Sequence, residues 1–416
     1  MTAAVRASQP VLTSRTRALS EAPDLLAAVG PQPDGFAWLH DGAGLVTSGV
    51  AARVRVRRGP GPGRLDEAAA EVAVLLAGIE SDDPVRVPGS GPLAVGALGF
   101  SDEGEVELIV PAVVVGVTRM GQAWITETGP SSAPLPSAVA SPLPSRFVVD
   151  GHGLRPRWGV MIDDALARIA SGELSKVVLT REVTVEADRP FDVATILTRL
   201  RGGHPTCFTF AAGGLVGATP ELLVRRRDAL VVSRPMAGTA PRGDTLDDDR
   251  RLLAKMRSSN KEGREHRVVV DAVRAALEPV CEEVSASAQP EVARLATVAH
   301  LATTVAGRLK APWPSALALA GLLHPTPAVA GSPRPAALAA IAELEDFDRR
   351  SYTGPVGWVD SRGDGDWAVA LRCAHIDGSV ARLYAGAGIV AGSSAGAEWA
   401  ETQAKLEPMM RALVQP

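Results

Sequence analysis

From Lys176 onward the chain is written as apolar runs of strand length, joined mostly by short turns. SKVVLTREVTVEA alternates with period two. Lys176, Val178, Thr180 and Glu182 face one way, and Val177, Leu179, Arg181 and Val183 the other. CFTFAA, GLVGATPELLVRR and ALVVSRPMAGT follow in the same style. Short links suit antiparallel neighbours, because a parallel pair needs a long crossover. Helical periodicity is grouped elsewhere, around 156–171, 246–260, 261–283 and 335–345, and in the closing segment GAEWAETQAKLEPMMRAL. Runs of strands set apart from runs of helices favour an α+β fold of large antiparallel sheets flanked by helices over a doubly wound one.

The N-terminal third has the same character. AWLH, GLVTSG, ARVRVRRG, LAVGALGF and VELIVPAVVVGVTRMGQAWIT read as strands. RLDEAAAEVAVLLAGIE places Leu65, Ala68, Ala69, Val72, Leu75 and Leu76 on one helical face. The first ~20 residues are polar and expected to be mobile. Residues 128–147, rich in Pro, Ser and Ala, read as a linker or surface loop. The expected division is a mobile segment over 1–20, a variable part over 21–150 and a catalytic region over 151–416.

Composition narrows the function classes. The net charge of −4 disfavours nucleic acid or an anionic membrane as the main partner. Cys207, Cys281 and Cys373 are widely spaced and odd in number, which suggests neither a disulfide framework nor a zinc site. No segment approaches the ~18 apolar residues that span a bilayer, and the first residues lack an apolar leader core. A cytoplasmic protein is expected.

Several residues could carry chemistry, each with an ordinary alternative. Glu398, Glu401 and Lys405 share a face of the last helix. They could ligate a cation, or Glu401 and Lys405 could form a plain surface pair. Glu265 precedes Val269 and Ala272 on one face. It is a candidate metal ligand or a first-turn carboxylate favoured by the helix dipole. Lys176 opens an apolar strand, where partial desolvation would suit a general base; otherwise it snorkels to water. Glu221, between Pro220 and two leucines, is a candidate general acid or an outward-facing strand residue. AGAGIVAG offers unobstructed backbone amides for an anion, or simply packs closely.

Ten segments between residues 155 and 415 fall in one order: LSKVVLTRE, GATPELLVRR, RPMAGTAPRG, the EH of KEGREH, HLATTVAGRL, HPTPAVAGSP, SYTGPVGWVD, WAVALR, LYAGAGIVAGS and EWAETQAKL. In that order they resemble the chorismate-utilising enzymes. That family includes isochorismate synthase, salicylate synthase and the large subunit of anthranilate synthase. The resemblance implies the family's two-lobed fold, chorismate as substrate and Mg2+ as cofactor. It implies Glu265 and Glu401 as metal ligands, with Glu398 as a further, water-mediated one. Arg372, Tyr352 and Lys405 would meet substrate carboxylate, joined by the amides near Gly386 and Gly388. Gly238 and Thr239 would line the pocket near the ring, with His300 beside the ring carboxylate. Ala328 and Val329 would shape the entrance for the nucleophile.

Within the family, Lys176 stands where the ammonia-using members usually carry glutamine. Lys176 as base and Glu221 as acid therefore imply addition of water at C2 of chorismate with loss of the C4 hydroxyl. HPTPAVAGSP favours stopping at isochorismate, a precursor for menaquinone or siderophores. Salicylate formation by further pyruvate loss is the nearest alternative, and a non-catalytic chorismate-binding protein the alternative of another class. A monomer is expected.

Overall fold

The computed structural model describes residues 12–29, 34–57, 64–101, 105–130, 142–151, 154–243 and 245–415. Two antiparallel arms of one sheet stack face to face, with helices on both outer faces. The first arm runs by successive pairings from Thr13–Leu19 through Ala123–Thr128, Glu105–Val117, Ala43–Arg57 and Phe36–His40. It continues through Phe208–Ala212, Leu215–Thr219, Cys373–Asp377 and Val380–Ile389 to Lys176–Ala187. The second arm leaves Glu105–Val117 through Leu93–Ala97. It then runs through Pro355–Asp360, Gly365–Val369, Leu222–Arg227, Leu230–Arg234 and Val305–Leu309 to Cys281–Ala286. Met236–Pro241, Val298–Ala302 and Glu291–Arg294 form a separate small sheet.

Strand alternation builds the layers. Phe36 and Trp38 enter an aromatic core between the arms with Phe208, Phe210, Leu93 and Trp358. Their neighbours Ala37 and Leu39 turn to the outer face of the first arm. Ala94 and Val359, on the second arm, likewise turn outward to another core. Helices α1 (Arg64–Ala77), α2 (Leu154–Ala170), α3 (Val193–Gly203), α4 (Leu246–Ser258), α5 (Asn260–Leu277), α6 (Ala316–Leu323), α7 (Arg334–Leu344) and α8 (Ala395–Val414) complete the fold. The outer face of the first arm is covered by α3 and α8, and that of the second by α1 and α6. None of the described helices is long and apolar enough to cross a membrane.

The α+β reading is the observed fold. Several details differ. Thr13–Leu19 is a paired strand, so the expected mobile segment is corrected there. Its alternate Ser14 and Thr16 are buried, and Thr16 Oγ1 lies 2.8 Å from Thr126 Oγ1. Residues 1–11 and most of the 128–147 loop lie outside the described residues. GLVTSG and the ARVRVR that begins the next segment are one strand, Ala43–Arg57, carried through by a bulge between Val50 and Ala52. The helix expected over 261–283 stops at Leu277. Pro279, which has no N–H to continue the ladder, lies in a single 3₁₀ turn before the Cys281–Ala286 strand. Helices α3 and α6 were not anticipated. Val193, Thr195, Ile196 and Thr198 are β-branched and lower helix propensity in α3. ALALAGLL in α6 is apolar on every side and shows no period.

The sheet is continuous across residue 150. Phe36–His40 pairs with Phe208–Ala212, and Leu93–Ala97 with Pro355–Asp360. Residues before and after the linker therefore share one framework.

Candidate active site

The chain crosses between the two arms at Pro220–Glu221, leaving Leu215–Thr219 for Leu222–Arg227. It crosses back at Leu371–Arg372, leaving Gly365–Val369 for Cys373–Asp377. Backbone bonds tie the crossings together: Val369 N–H donates to Glu221 O at 3.1 Å and Ala218 N–H to Arg372 O at 3.2 Å. At these crossings a cavity opens, to which Lys176, Glu221, Glu265, His300, Arg372 and Lys405 all contribute.

Glu221 is only 4% exposed. Burial pushes its carboxyl up to about 7, against a hydrogen bond from Met236 N–H and the positive charges of Lys176 and Lys405. It thus titrates near neutrality, as an acid catalyst needs to. The outward-facing alternative does not hold, because Glu221 lies at the crossing and not within an alternating strand.

Lys176 is 3% exposed, and its Nζ lies 2.9 Å from Glu265 Oε1. It does not snorkel to water. Gly388 closes over this pair: a Cβ there would lie 2.6 Å from Glu265 Oε1 and 3.0 Å from Lys176 Cε. On α8, Glu401 and Lys405 do pair at 2.7 Å. The pair lines the cavity and is not a plain surface contact. Lys405 Nζ also donates to Gly386 O at 3.0 Å, which ties the helix to the adjacent strand.

Arg372 is the most telling group. It is buried at a bend with φ +50°. Among the described residues no carboxylate pairs with it, and its Nη1 has no hydrogen-bond partner. Burial works against its charge. Its Nη2 donates to His300 Nε2 at 2.9 Å, which leaves His300 Nδ1–H to donate to Gly238 O at 3.2 Å. Burial first, then Arg372 and Lys405, hold the His300 imidazole neutral, consistent with that tautomer. A buried, unpaired guanidinium is costly unless an anion completes it. Substituting Arg372→Met should therefore raise the thermal stability of the free protein. It should also raise KM for an anionic substrate by roughly 30-fold or more, as loss of one member of a desolvated charge pair does. Melting curves and steady-state kinetics check both.

Gly238, Thr239, Ala328, Val329, Tyr352, Gly386 and Gly388 also line the cavity. Glu398 is the exception among the expected residues: buried in the first turn of α8, it does not line this cavity. Among the residues not anticipated, two stand out. Glu262 Oε2 accepts from Thr239 N–H at 2.9 Å and supports the turn at Gly238, whose φ is +76°. Its signal was present, because Glu262 lies one turn before Glu265 in KEGREH. Tyr384 stacks on Tyr352 with ring centroids 5.2 Å apart. These are the only tyrosines of the chain, and both line the cavity.

Carboxylates suit a hard divalent cation, and a magnesium ion commonly uses only one or two of them with water and substrate. Glu265 and Glu401 both reach the cavity and fit that role. Among the described residues no three His, Cys, Asp or Glu side chains already form a metal cage. Each carboxylate is instead engaged by a lysine.

Fold and cavity together define an α+β architecture with a buried cavity lined by lysine, arginine and glutamate side chains. Residues 144–414 match the model of the chorismate binding enzyme family, and the chain belongs to that family. It is 43% identical over 263 residues to isochorismate synthase DhbC of Bacillus subtilis, covering 61% of this chain and 66% of that protein. A Mycobacterium tuberculosis protein provisionally named isochorismate synthase MenF is 41% identical over 341 residues, covering 78% of this chain and 87% of that one. Among solved structures, MenF, the menaquinone-specific isochorismate synthase from Escherichia coli, superposes with a TM-score of 0.81 at 26% identity. That match covers 98% of this chain and 97% of the other.

Proposed function

We propose that the protein is an isochorismate synthase, converting chorismate to isochorismate with Mg2+. The unpaired Arg372 guanidinium carries this reading, together with a buried lysine and a buried acid in one cavity. Chorismate brings two carboxylates, and Arg372, Lys405 and the amides near Gly386 and Gly388 are what a buried dianion requires. The family and the isochorismate synthases among its relatives support the same substrate.

In the proposed reaction Lys176 takes a proton from a water molecule. The water oxygen bonds to C2 of the ring. The C1–C2 and C5–C6 double bonds move to C1–C6 and C4–C5, and the C4–O bond breaks. Glu221 donates its proton to the departing hydroxyl, which leaves as water. The reverse direction exchanges the two roles, so the reaction is reversible. Tyr352 and His300 orient the ring and its carboxylate, and Ala328 and Val329 shape the approach of water. Glu265 and Glu401 would hold magnesium, with Glu398 acting through water. Bound there, the ion would offset the repulsion between these carboxylates and those of the substrate.

Purified protein incubated with chorismate and Mg2+ should yield isochorismate as the main product by NMR, and EDTA should abolish turnover until Mg2+ is restored. Salicylate and pyruvate as main products would overturn the assignment in favour of a salicylate synthase. Binding of chorismate without turnover would leave only a binding protein. The menaquinone and siderophore routes both use this product, and the relatives include enzymes named for each.

A further inference from the structure

The strand that carries Lys176 has an interrupted edge. Along one side, residues 177–186 are paired without a break by Val380–Ile389. Along the other, Gly331–Ser332 covers only Lys176 and Val177, and Phe147–Asp150 covers only residues 184–187. Val178 N–H donates to Ala330 O at 2.8 Å, and strand pairing on that side ends there.

Two side chains fill the break. Arg349 Nη2 donates to Val178 O at 2.7 Å, and Thr180 N–H donates to Glu345 Oε1 at 2.7 Å. Both side chains are 2% exposed, and they bond to each other through Arg349 Nε to Glu345 Oε2 at 2.7 Å and Arg349 Nη2 to Glu345 Oε1 at 2.5 Å. The ion pair thus supplies one donor and one acceptor where a neighbouring strand would supply them.

The same guanidinium reaches further. Arg349 Nη1 donates to Val329 O at 2.9 Å, and Arg349 O accepts from Tyr352 N–H at 2.9 Å. Arg349 therefore connects three walls of the cavity: the Lys176 strand, the Ala328–Val329 turn and Tyr352. Its carbon Cζ sits 4.3 Å from the Phe100 ring centroid, which braces it from behind.

We propose that Glu345 and Arg349 are positioning residues that set the Lys176 amine against the Val329 turn, and so fix where water approaches the ring. The proposal rests on the isochorismate synthase reading for its kinetic readout. Neither residue lines the cavity, so neither is expected to contact substrate. Displacement of a base by fractions of an ångström acts on the chemical step more than on ground-state binding.

The test uses Arg349→Lys, which keeps a charge beside Glu345 but cannot reach Val178 O and Val329 O together. The variant should lower kcat at least tenfold and leave KM for chorismate within about threefold. Amide hydrogen exchange in the peptide containing Thr180 should rise at least tenfold. The share of turnover released as pyruvate should also rise as water loses its fixed approach. A folded Arg349→Lys protein with native kcat, native product ratio and native exchange overturns the proposal. Should that variant fail to fold, Glu345→Gln with Arg349→Met buries no unpaired charge and is read by the same criteria. Wild-type protein run alongside separates the two claims: no isochorismate from wild type defeats the functional reading, whereas the exchange measurement still decides the positioning role.

Discussion

Replacing Lys176 by alanine should lower kcat by roughly 10²–10⁴-fold, the usual contribution of a positioned general base, with a much smaller change in KM for chorismate. Lys176 is buried, its Nζ facing Glu265 across 2.9 Å in the free protein. The other cavity side chains are unchanged in the variant, so binding of chorismate should survive where the proposed proton transfer does not. Lys176→Arg separates the base from the ion pair. A guanidinium can still meet Glu265 but stays protonated at any working pH, so it should lose as much activity as alanine. A primary amine such as methylamine, added to Lys176→Ala, should restore part of the rate by occupying the vacated space. Steady-state kinetics with product identification provide the check; a fully active Lys176→Arg protein would show that the lysine serves charge and not proton transfer.

Glu221→Gln should have an effect of similar size on the rate, with a distinctive pH signature. The wild-type carboxyl is held at about 7 by burial, against an ordinary value of 4.5. In the forward direction it must be protonated, so the rate should fall as pH rises through about 7. The glutamine variant should be roughly 10²–10⁴-fold slower and lack that limb. The Glu221 contribution to stability should fall over the same rise in pH. Because the folded-state value is raised, the folded protein binds more protons than the unfolded chain between about 4.5 and about 7. The Glu221 contribution is therefore most favourable below the lower value and is lost as pH rises through the upper one. Above it, a charged carboxylate is buried at a cost on the order of 3 kcal/mol. Glu221→Gln should accordingly melt higher than wild type at pH 8 and close to it at pH 4.5. Equal melting behaviour at both pH values would contradict the buried acid.

Much of the site was legible in the residues, though for different reasons at different positions. Glu401 and Lys405 share a helical face by arithmetic, and their pairing follows from the i, i+4 spacing. Lys176 and Val178 share a strand face by the period of two, and both line the cavity. Their opposite neighbours Val177 and Leu179 enter the outer core. Glu398 shows the limit of such arithmetic: it shares the face of Glu401 but lies a turn too far toward the helix start to line the cavity. Glu262 and Tyr384 were missed because each matters through a partner distant in sequence. The buried Glu345–Arg349 pair has an ordinary i, i+4 spacing, and only the gap beside it in the sheet makes it unusual.

What the chain determines by itself is therefore periodicity, capping and the order of its motifs. Those are enough for antiparallel sheets with flanking helices and for the family resemblance, since local backbone geometry repeats every two or 3.6 residues whatever lies opposite. What only the tertiary structure decides is which polar groups are enclosed together. Glu221 and Arg372 become a raised acid and an unpaired cation because both arms change over at the same place. Lys176 meets Glu265, and His300 takes one tautomer, because segments far apart in the sequence converge there. Burial and charge coupling depend on atoms from every converging segment, and no short stretch of sequence contains that sum.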